Sequence, residues 1–164
     1  MKDIIVCDLD GTLCNIEHRT HFVQVAEGAP RVANSGDIIY PRKDWDSFFN
    51  GVPNDTVNEP VLKVLDAFRS TQHRHDIVFC SGRPERCRTD TVEWLEKHNF
   101  IDGYYELHMR QDGDFRRDDI VKQEILDKYI DKDRVLFVLD DRDQVVDMWR
   151  RNGLTCFQVA EGDF

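Results

Sequence analysis

Two pairs of aspartates each follow a short apolar run of the sequence. Asp8 and Asp10 come after the run at residues 4–7, and Asp140 and Asp141 come after a second run near the end of the chain. Four carboxylates within a few ångströms of one another would repel strongly unless a cation lay among them or some were protonated. Oxygen ligands without His or Cys select a hard ion, and Mg²⁺ typically combines carboxylates with water and a substrate phosphate. The pattern therefore indicates a Mg²⁺-dependent phosphate site, provided that the fold brings the two pairs together.

Two further positions could take part in phosphate chemistry. Ser81-Gly82-Arg83 follows a third apolar run, and Lys122 lies in a stretch with helical periodicity. Each signal also has a plainer interpretation, because aspartate pairs often cap helices, Ser81-Gly82 could be a tight turn, and Lys122 could be a solvated charge. Their coincidence with the ends of apolar runs is what favours a site.

The order of the predicted elements explains how these residues would meet. The apolar runs at 4–7, 77–80 and 135–139 are bounded by charged or turn residues, as is typical of strands covered on both faces of a parallel sheet. Residues 104–109 and 155–159 are weaker strand candidates, and stretches with helical periodicity alternate with the strands. The alternation predicts an α/β fold with a doubly wound parallel sheet. The carboxyl ends of its strands share one edge, where ligands bind near the point at which strand order reverses.

Residues 14–58 do not fit this alternation. Gly28, Pro30, Pro41 and Pro53 interrupt short apolar patterns there, and the stretch is long for a loop in a compact domain. We interpret it as a small, mainly helical lid inserted after the first strand of a single domain that spans residues 1–164.

Composition narrows the class of protein. The chain has 164 residues, 40% hydrophobic and 33% charged, which is typical of one folded, soluble domain. A net charge of −10 argues against broad electrostatic binding to nucleic acid or to a membrane, so a polyanionic substrate must meet a local basic patch. The five cysteines are scattered, and no apolar stretch reaches the length of a signal peptide or a membrane span. These features favour a reducing, cytoplasmic location.

The motifs resemble a known family. Residues 8–13, Asp-Leu-Asp-Gly-Thr-Leu, look like the first signature of the haloacid dehalogenase-like phosphohydrolases, and Ser81, Lys122 and Asp140-Asp141 match the other three in order. The blocks at 110–122 and 140–151, closing on 162–164, are similar to the 3′-phosphatase domains of phage polynucleotide kinase/phosphatases. The resemblance covers nearly the whole chain, and it is loosest across 14–58.

The resemblance implies roles in an aspartyl-phosphate mechanism. Asp8 would attack phosphorus, and Asp10 would protonate the leaving oxygen and then deprotonate the hydrolytic water. Ser81 would bind a phosphoryl oxygen, and Lys122 would stabilise both the nucleophile and the transferred group. Asp140 and Asp141 would hold Mg²⁺, directly or through water, together with Asp8 and the main-chain carbonyl of Asp10.

The same resemblance implies a set of substrate-binding residues. Arginine presents a planar fork suited to phosphate oxygens, so three arginines would grip the substrate and an aspartate one turn before Lys122 would orient that lysine. The full set implied is Thr12, Arg19, Gly82, Arg83, Arg110 and Asp118.

We therefore expect a Mg²⁺-dependent phosphomonoesterase that removes 3′-phosphates from DNA or RNA ends. One alternative keeps the chemistry but acts on free nucleotides or another small ester, and a second is a non-enzymatic phospho-acceptor module like the receiver domains. No Gly-x-x-x-x-Gly-Lys-[Ser/Thr] loop occurs, so we expect no kinase chemistry here and consider cooperation with a separate kinase or ligase. The sequence does not define an oligomeric state.

Overall fold

Nine strands and six α-helices form the part of the chain that the computed structural model describes, which is residues 3–24, 31–32, 35, 38–39, 43–70, 75–100 and 105–162. The strands are β1 (Ile4–Cys7), β2 (Cys14–Asn15), β3 (Arg31–Val32), β4 (Ile38–Ile39), β5 (Thr56–Val57), β6 (Asp76–Pro84), β7 (Tyr105–Arg110), β8 (Val135–Asp140) and β9 (Cys156–Gln158). The helices are α1 (Glu17–Thr20), α2 (Trp45–Asn50), α3 (Glu59–Arg69), α4 (Arg88–Lys97), α5 (Asp118–Tyr129) and α6 (Asp143–Arg151), with single 3₁₀ turns at Val52–Asn54, Glu85–Cys87 and Lys132–Arg134.

Five of the strands form one sheet, in the order β7-β6-β1-β8-β9. All four neighbouring pairs are parallel. The chain proceeds from central β1 outward to β6 and β7 on one side, and then returns to β8 and β9 on the other. This confirms the predicted α/β fold with a doubly wound sheet, whose strand order reverses at β1. The two weaker strand candidates are β7 and β9; Tyr104 lies outside the described residues.

The sheet is covered on both faces, as the apolar runs predicted. Alternate residues of β1 point to opposite sides, so Ile4 and Val6 pack with α5 and α6, whereas Ile5 and Cys7 pack with α3 and α4. All five cysteines are buried and free. None of the helices among the described residues has the length and apolar character needed to cross a bilayer.

The described parts of the 14–58 insertion combine short helices with strand pairs. β2 pairs with β5 in an antiparallel arrangement, and so does β3 with β4. Phe48 of α2 is buried in the same apolar cluster as α3 and α4. Trp94 Nε1 of α4 also donates a hydrogen bond to the carbonyl of Asp55, at 2.8 Å. The C-terminal part of the insertion is therefore fastened to the core, and the pairing of β5 with β2 joins it to the N-terminal end.

Most of the middle of the insertion, including Gly28, Pro30 and Pro41, lies outside the described residues. Its action as a lid therefore stays a prediction.

Candidate active site

Three carboxylates meet where the carboxyl ends of the central strands converge. Asp8 follows β1 directly, Asp140 is the last residue of β8, and Asp141 comes next. All three side chains are buried, and one carboxylate oxygen of each lies within 4.8 Å of the others. The reversal of strand order at β1 thus brings residues from opposite ends of the sequence into one cluster.

Lys122 supplies a positive charge to this cluster. Its Nζ, projecting from α5, donates to Asp8 Oδ1 at 2.7 Å and to Asp140 Oδ2 at 2.9 Å, and it lies 3.7 Å from Asp118 Oδ2. Burial disfavours the charged ammonium, but Asp140 and Asp8 outweigh it and raise the lysine pKa. Asp118 lies one helical turn before Lys122, as predicted.

One lysine does not balance three carboxylates. Burial and the neighbouring Asp140 and Asp141 raise the pKa of Asp8, although Lys122 opposes the shift. Burial followed by repulsion from Asp140 raises the pKa of Asp141 to about 6. A buried set of hard oxygen donors with excess negative charge fits a divalent cation of the Mg²⁺ type.

Asp140 and Asp141 have different surroundings. Asp140 accepts hydrogen bonds from Lys122, from Trp149 Nε1 at 3.0 Å and from the backbone NH of Arg142 at 3.2 Å. Asp141 Oδ1 accepts from the hydroxyl of Thr12 at 3.2 Å, and its carboxylate packs so closely on Gly11 that a Cβ there would overlap it. Asp141 lines the adjacent cleft. Thr12, predicted to bind substrate, is itself fully buried against this aspartate.

A second charged cluster surrounds Asp10. Arg19 Nη2 donates to Asp10 Oδ1 at 2.6 Å, and Arg83 donates to the same oxygen through Nη2 and through Nε, the latter at 2.8 Å. Although burial favours the neutral acid, Arg83 and Arg19 lower the pKa of Asp10 to about 2. The pKa values of Asp8 and Asp10, two residues apart, are therefore shifted in opposite directions.

The two arginines fix how Asp10 is presented. Within the described residues, every hydrogen bond to this carboxylate falls on Oδ1. The side chain keeps 21% exposure and lines the cleft. Oδ2 is thus the oxygen available for proton transfer.

Asp55 is the residue of this cluster that the sequence analysis missed. Its two oxygens accept from Arg19 at 2.7 Å each, Oδ2 also accepts from Arg83 Nη2 at 2.8 Å, and His18 Nε2 lies 2.9 Å from Oδ1. The three ion-paired side chains of Arg19, Arg83 and Asp55 are fully buried. Asp55 follows a 3₁₀ turn, where an aspartate is common for local reasons, and its arginines lie 36 and 28 residues away. No signal in the sequence links them.

The other predicted site residues line or support the cleft wall. Arg110 Nε donates to the carbonyl of Gly82 and its Nη2 to Asp118 Oδ1, both at 2.9 Å. Ser81 is fully buried, and its Oγ accepts from the backbone NH of Arg83 at 3.2 Å. All six predicted catalytic and metal residues therefore lie at the carboxyl edge. The guanidiniums of Arg19, Arg83 and Arg110 are engaged by protein groups, so phosphate binding by these arginines stays a prediction.

Both clusters open into one cleft of about 1830 Å³, lined by Asp8, Asp10, Lys122 and Asp141 and by parts of the insertion and of the loop after β7. The arrangement places a buried carboxylate beside a lysine and, on the same cleft, a second carboxylate held by two arginines. That combination suits nucleophilic attack followed by proton transfer.

The fold and this edge define a haloacid dehalogenase-like hydrolase. The fold matches that of a predicted phosphatase from Clostridium acetobutylicum, with a TM-score of 0.65 and 16% identity over 96% of this chain and 84% of that chain.

Residues 37–164 match the family model of the polynucleotide kinase PNKP phosphatase domain, and the chain belongs to this family, one of phosphoric monoester hydrolases. It is 33% identical to a chain of the Pnkp1/Rnl/Hen1 RNA repair complex, with a TM-score of 0.71, covering 98% of this chain and 43% of that one. A protein of Autographa californica nuclear polyhedrosis virus, which carries the name bifunctional polynucleotide kinase/RNA ligase, is 32% identical over 89% of this chain and 17% of its own length. The chain thus spans less than half of these two relatives.

Replacing Asp55 tests the electrostatic account of the second cluster. We expect Asp55→Ala to lower the free energy of unfolding by about 3–5 kcal/mol, because Arg19 and Arg83, both buried, would then share the carboxylate of Asp10 and one positive charge would be left unbalanced. Asp46→Ala is the matched control: it removes an exposed ion pair with Arg86, and it should cost less than about 1 kcal/mol. Urea denaturation followed by circular dichroism measures both, and equal losses would contradict the account.

Proposed function

We propose that the protein is a Mg²⁺-dependent phosphomonoesterase that removes 3′-phosphates from DNA or RNA ends through an aspartyl-phosphate intermediate. The observation that carries the proposal is that Asp8, bound to Lys122 at 2.7 Å, and Asp10, held by two arginines through Oδ1, line the same cleft. Membership of the PNKP phosphatase family supports the same chemistry.

Asp8 is the nucleophile in this proposal. Its oxygen attacks phosphorus in line, the bond from phosphorus to the sugar oxygen breaks, and the acyl phosphate forms on Asp8. Lys122 Nζ stays between Asp8 and Asp140 and offsets negative charge that develops on the phosphoryl oxygens. Asp8, Asp140, Asp141 and the main-chain carbonyl of Asp10 would hold Mg²⁺, which when bound neutralises the carboxylates and polarises the phosphoryl group.

Asp10 moves the protons. With a pKa of about 2 in the free protein it is a carboxylate, which is the form needed to deprotonate the hydrolytic water. To act first as the acid it must gain a proton, and a phosphate dianion brought beside it would raise its pKa. The arginines on Oδ1 leave Oδ2 to donate that proton to the departing sugar oxygen.

The family and the cleft support a nucleic-acid end as the substrate. A volume of about 1830 Å³ exceeds the roughly 300–1,000 Å³ of typical small-molecule pockets, which favours a nucleic-acid end over a free nucleotide. The relatives carry the names of an RNA repair complex and of a kinase/ligase. We propose by analogy that this phosphatase acts with kinase and ligase activities on broken ends.

A substrate profile tests the proposal. The wild type should release phosphate from a 3′-phosphorylated oligonucleotide much faster than from free 3′- or 5′-nucleotides, and Asp8→Asn should reduce this rate at least about 1000-fold because the nucleophile is lost. Asp147→Asn, an exposed change of the same type on α6, is the control and should be silent. Equal or better activity on 5′-nucleotides would indicate a nucleotidase. Stable phosphorylation of Asp8 without turnover would indicate a phospho-acceptor module.

Mg²⁺ should stabilise the protein in a pH-dependent manner. The pKa of Asp141 is raised to about 6 in the folded state, so without metal the bound proton stabilises the fold below the ordinary pKa of 3.8, and this contribution is lost as the pH rises through 6. Above that pH the carboxylate is free to bind metal. We expect millimolar Mg²⁺ to raise the melting temperature by about 3–6 °C near pH 7.5 and by much less near pH 5.

Thermal denaturation with and without Mg²⁺ measures this difference, and Asp141→Asn should remove most of the shift. The same shift at both pH values, or no shift near pH 7.5, would contradict the metal assignment.

A further inference from the structure

Phe115 stands out on the surface of the described residues. This residue is 95% exposed, whereas the other exposed large apolar residues range from 38% to 55%. It contributes nothing to the core, and it lines the cleft that holds Asp8 and Asp10. Resting on the proposed function, we infer that Phe115 is a stacking platform for the base nearest the 3′-phosphate.

The loop that carries Phe115 is fixed on both sides of this residue. Arg110 Nη1 donates to the carbonyl of Asp114 at 3.1 Å and to the carbonyl of Arg116 at 2.7 Å. The Arg116 guanidinium is in turn bound to Asp114 and to Glu124 on α5. The backbone is thus held while the ring projects outward, so binding a base costs little ordering of the loop.

The same arginine connects the loop to the reaction site. Arg110 Nη2 donates to Asp118 Oδ1 at 2.9 Å, and the other oxygen of Asp118 lies 3.7 Å from Lys122 Nζ. A chain of polar contacts therefore fixes the loop relative to the lysine that binds Asp8. This gives the backbone that carries the ring a defined position on the wall of the catalytic cleft.

A nucleobase suits this position better than a protein partner does. The ring lines a concave cleft beside the nucleophile, where a substrate must lie, and the neighbouring side chains Arg116 and Arg117 also line it. Aromatic rings that stack on bases beside cations that meet the backbone are the usual features of single-stranded nucleic-acid sites. The surface ion pair of Arg117 with Asp119 can exchange for a phosphate contact at small cost.

Two substrates and three variants test the inference. The substrates are 3′-phosphorylated oligonucleotides that are identical except that one has an abasic terminal nucleotide. We expect Phe115→Ala to lower kcat/KM about ten-fold on the substrate with the terminal base and to leave the abasic substrate unchanged. Phe115→Trp should retain the wild-type value, whereas Phe115→Leu, which is apolar but lacks an aromatic face, should behave like Phe115→Ala.

Each other outcome overturns the inference in a recognisable way. Equal losses on the two substrates would indicate a structural role, and wild-type activity of Phe115→Leu would indicate a general apolar contact. No effect of Phe115→Ala on either substrate would show that the ring does not contact the substrate, and would indicate a protein partner instead. If the wild type released no phosphate from either oligonucleotide, the proposed function itself would fail, and the stacking role with it.

Discussion

Repulsion among buried carboxylates is the interaction on which the arrangement of this protein depends. Asp8, Asp140 and Asp141 present oxygens within 4.8 Å of one another in a buried site, and such a set is tolerable only with compensating positive charge or bound protons. Lys122 provides part of it from α5. The doubly wound sheet places the carboxylates at one edge, and the helix packed on that sheet brings the lysine to them.

The second cluster, around Asp10, balances its negative charge in another way. Asp10 and Asp55 bind the same two buried arginines, so two negative and two positive side chains balance without a metal ion. The cluster of Asp8, Asp140 and Asp141 therefore keeps an excess of negative charge, as a metal site requires. The other is neutral and rigid, which suits a residue whose task is to present one oxygen. Asp8 and Asp10 acquire different chemistry from their surroundings although both are aspartates in one short motif.

Sequence reasoning identified the parts that depend on periodicity and on strand ends. The apolar runs predicted the parallel strands, and the residues that follow those runs, Asp8, Ser81 and Asp140, lie at the same edge of the sheet. β6 extends further than its apolar run, through Ser81 to Pro84, with a register shift against β7. That shift depends on contacts between strands, which a single sequence does not encode locally.

What the sequence could not reveal are pairings between distant residues. Asp55 looks like an ordinary turn residue until the insertion folds back onto α4 and brings it against Arg19 and Arg83. The same folding explains why these arginines, which resemble phosphate ligands by type, are buried among carboxylates. Phe115 likewise has no periodic signal, since its exposure is set by how Arg110 holds the loop.

The most direct test of the mechanism is the covalent intermediate. Asp10→Asn should still form it from an ester with a good leaving group, such as p-nitrophenyl phosphate, but should hydrolyse it slowly because the base is lost. Rapid acid quenching followed by peptide mapping should find phosphate on the peptide that contains Asp8, and none when Asp8→Asn is added. Product release with no protein-bound phosphate at any time, or phosphate attached to another residue, would contradict Asp8 as the nucleophile.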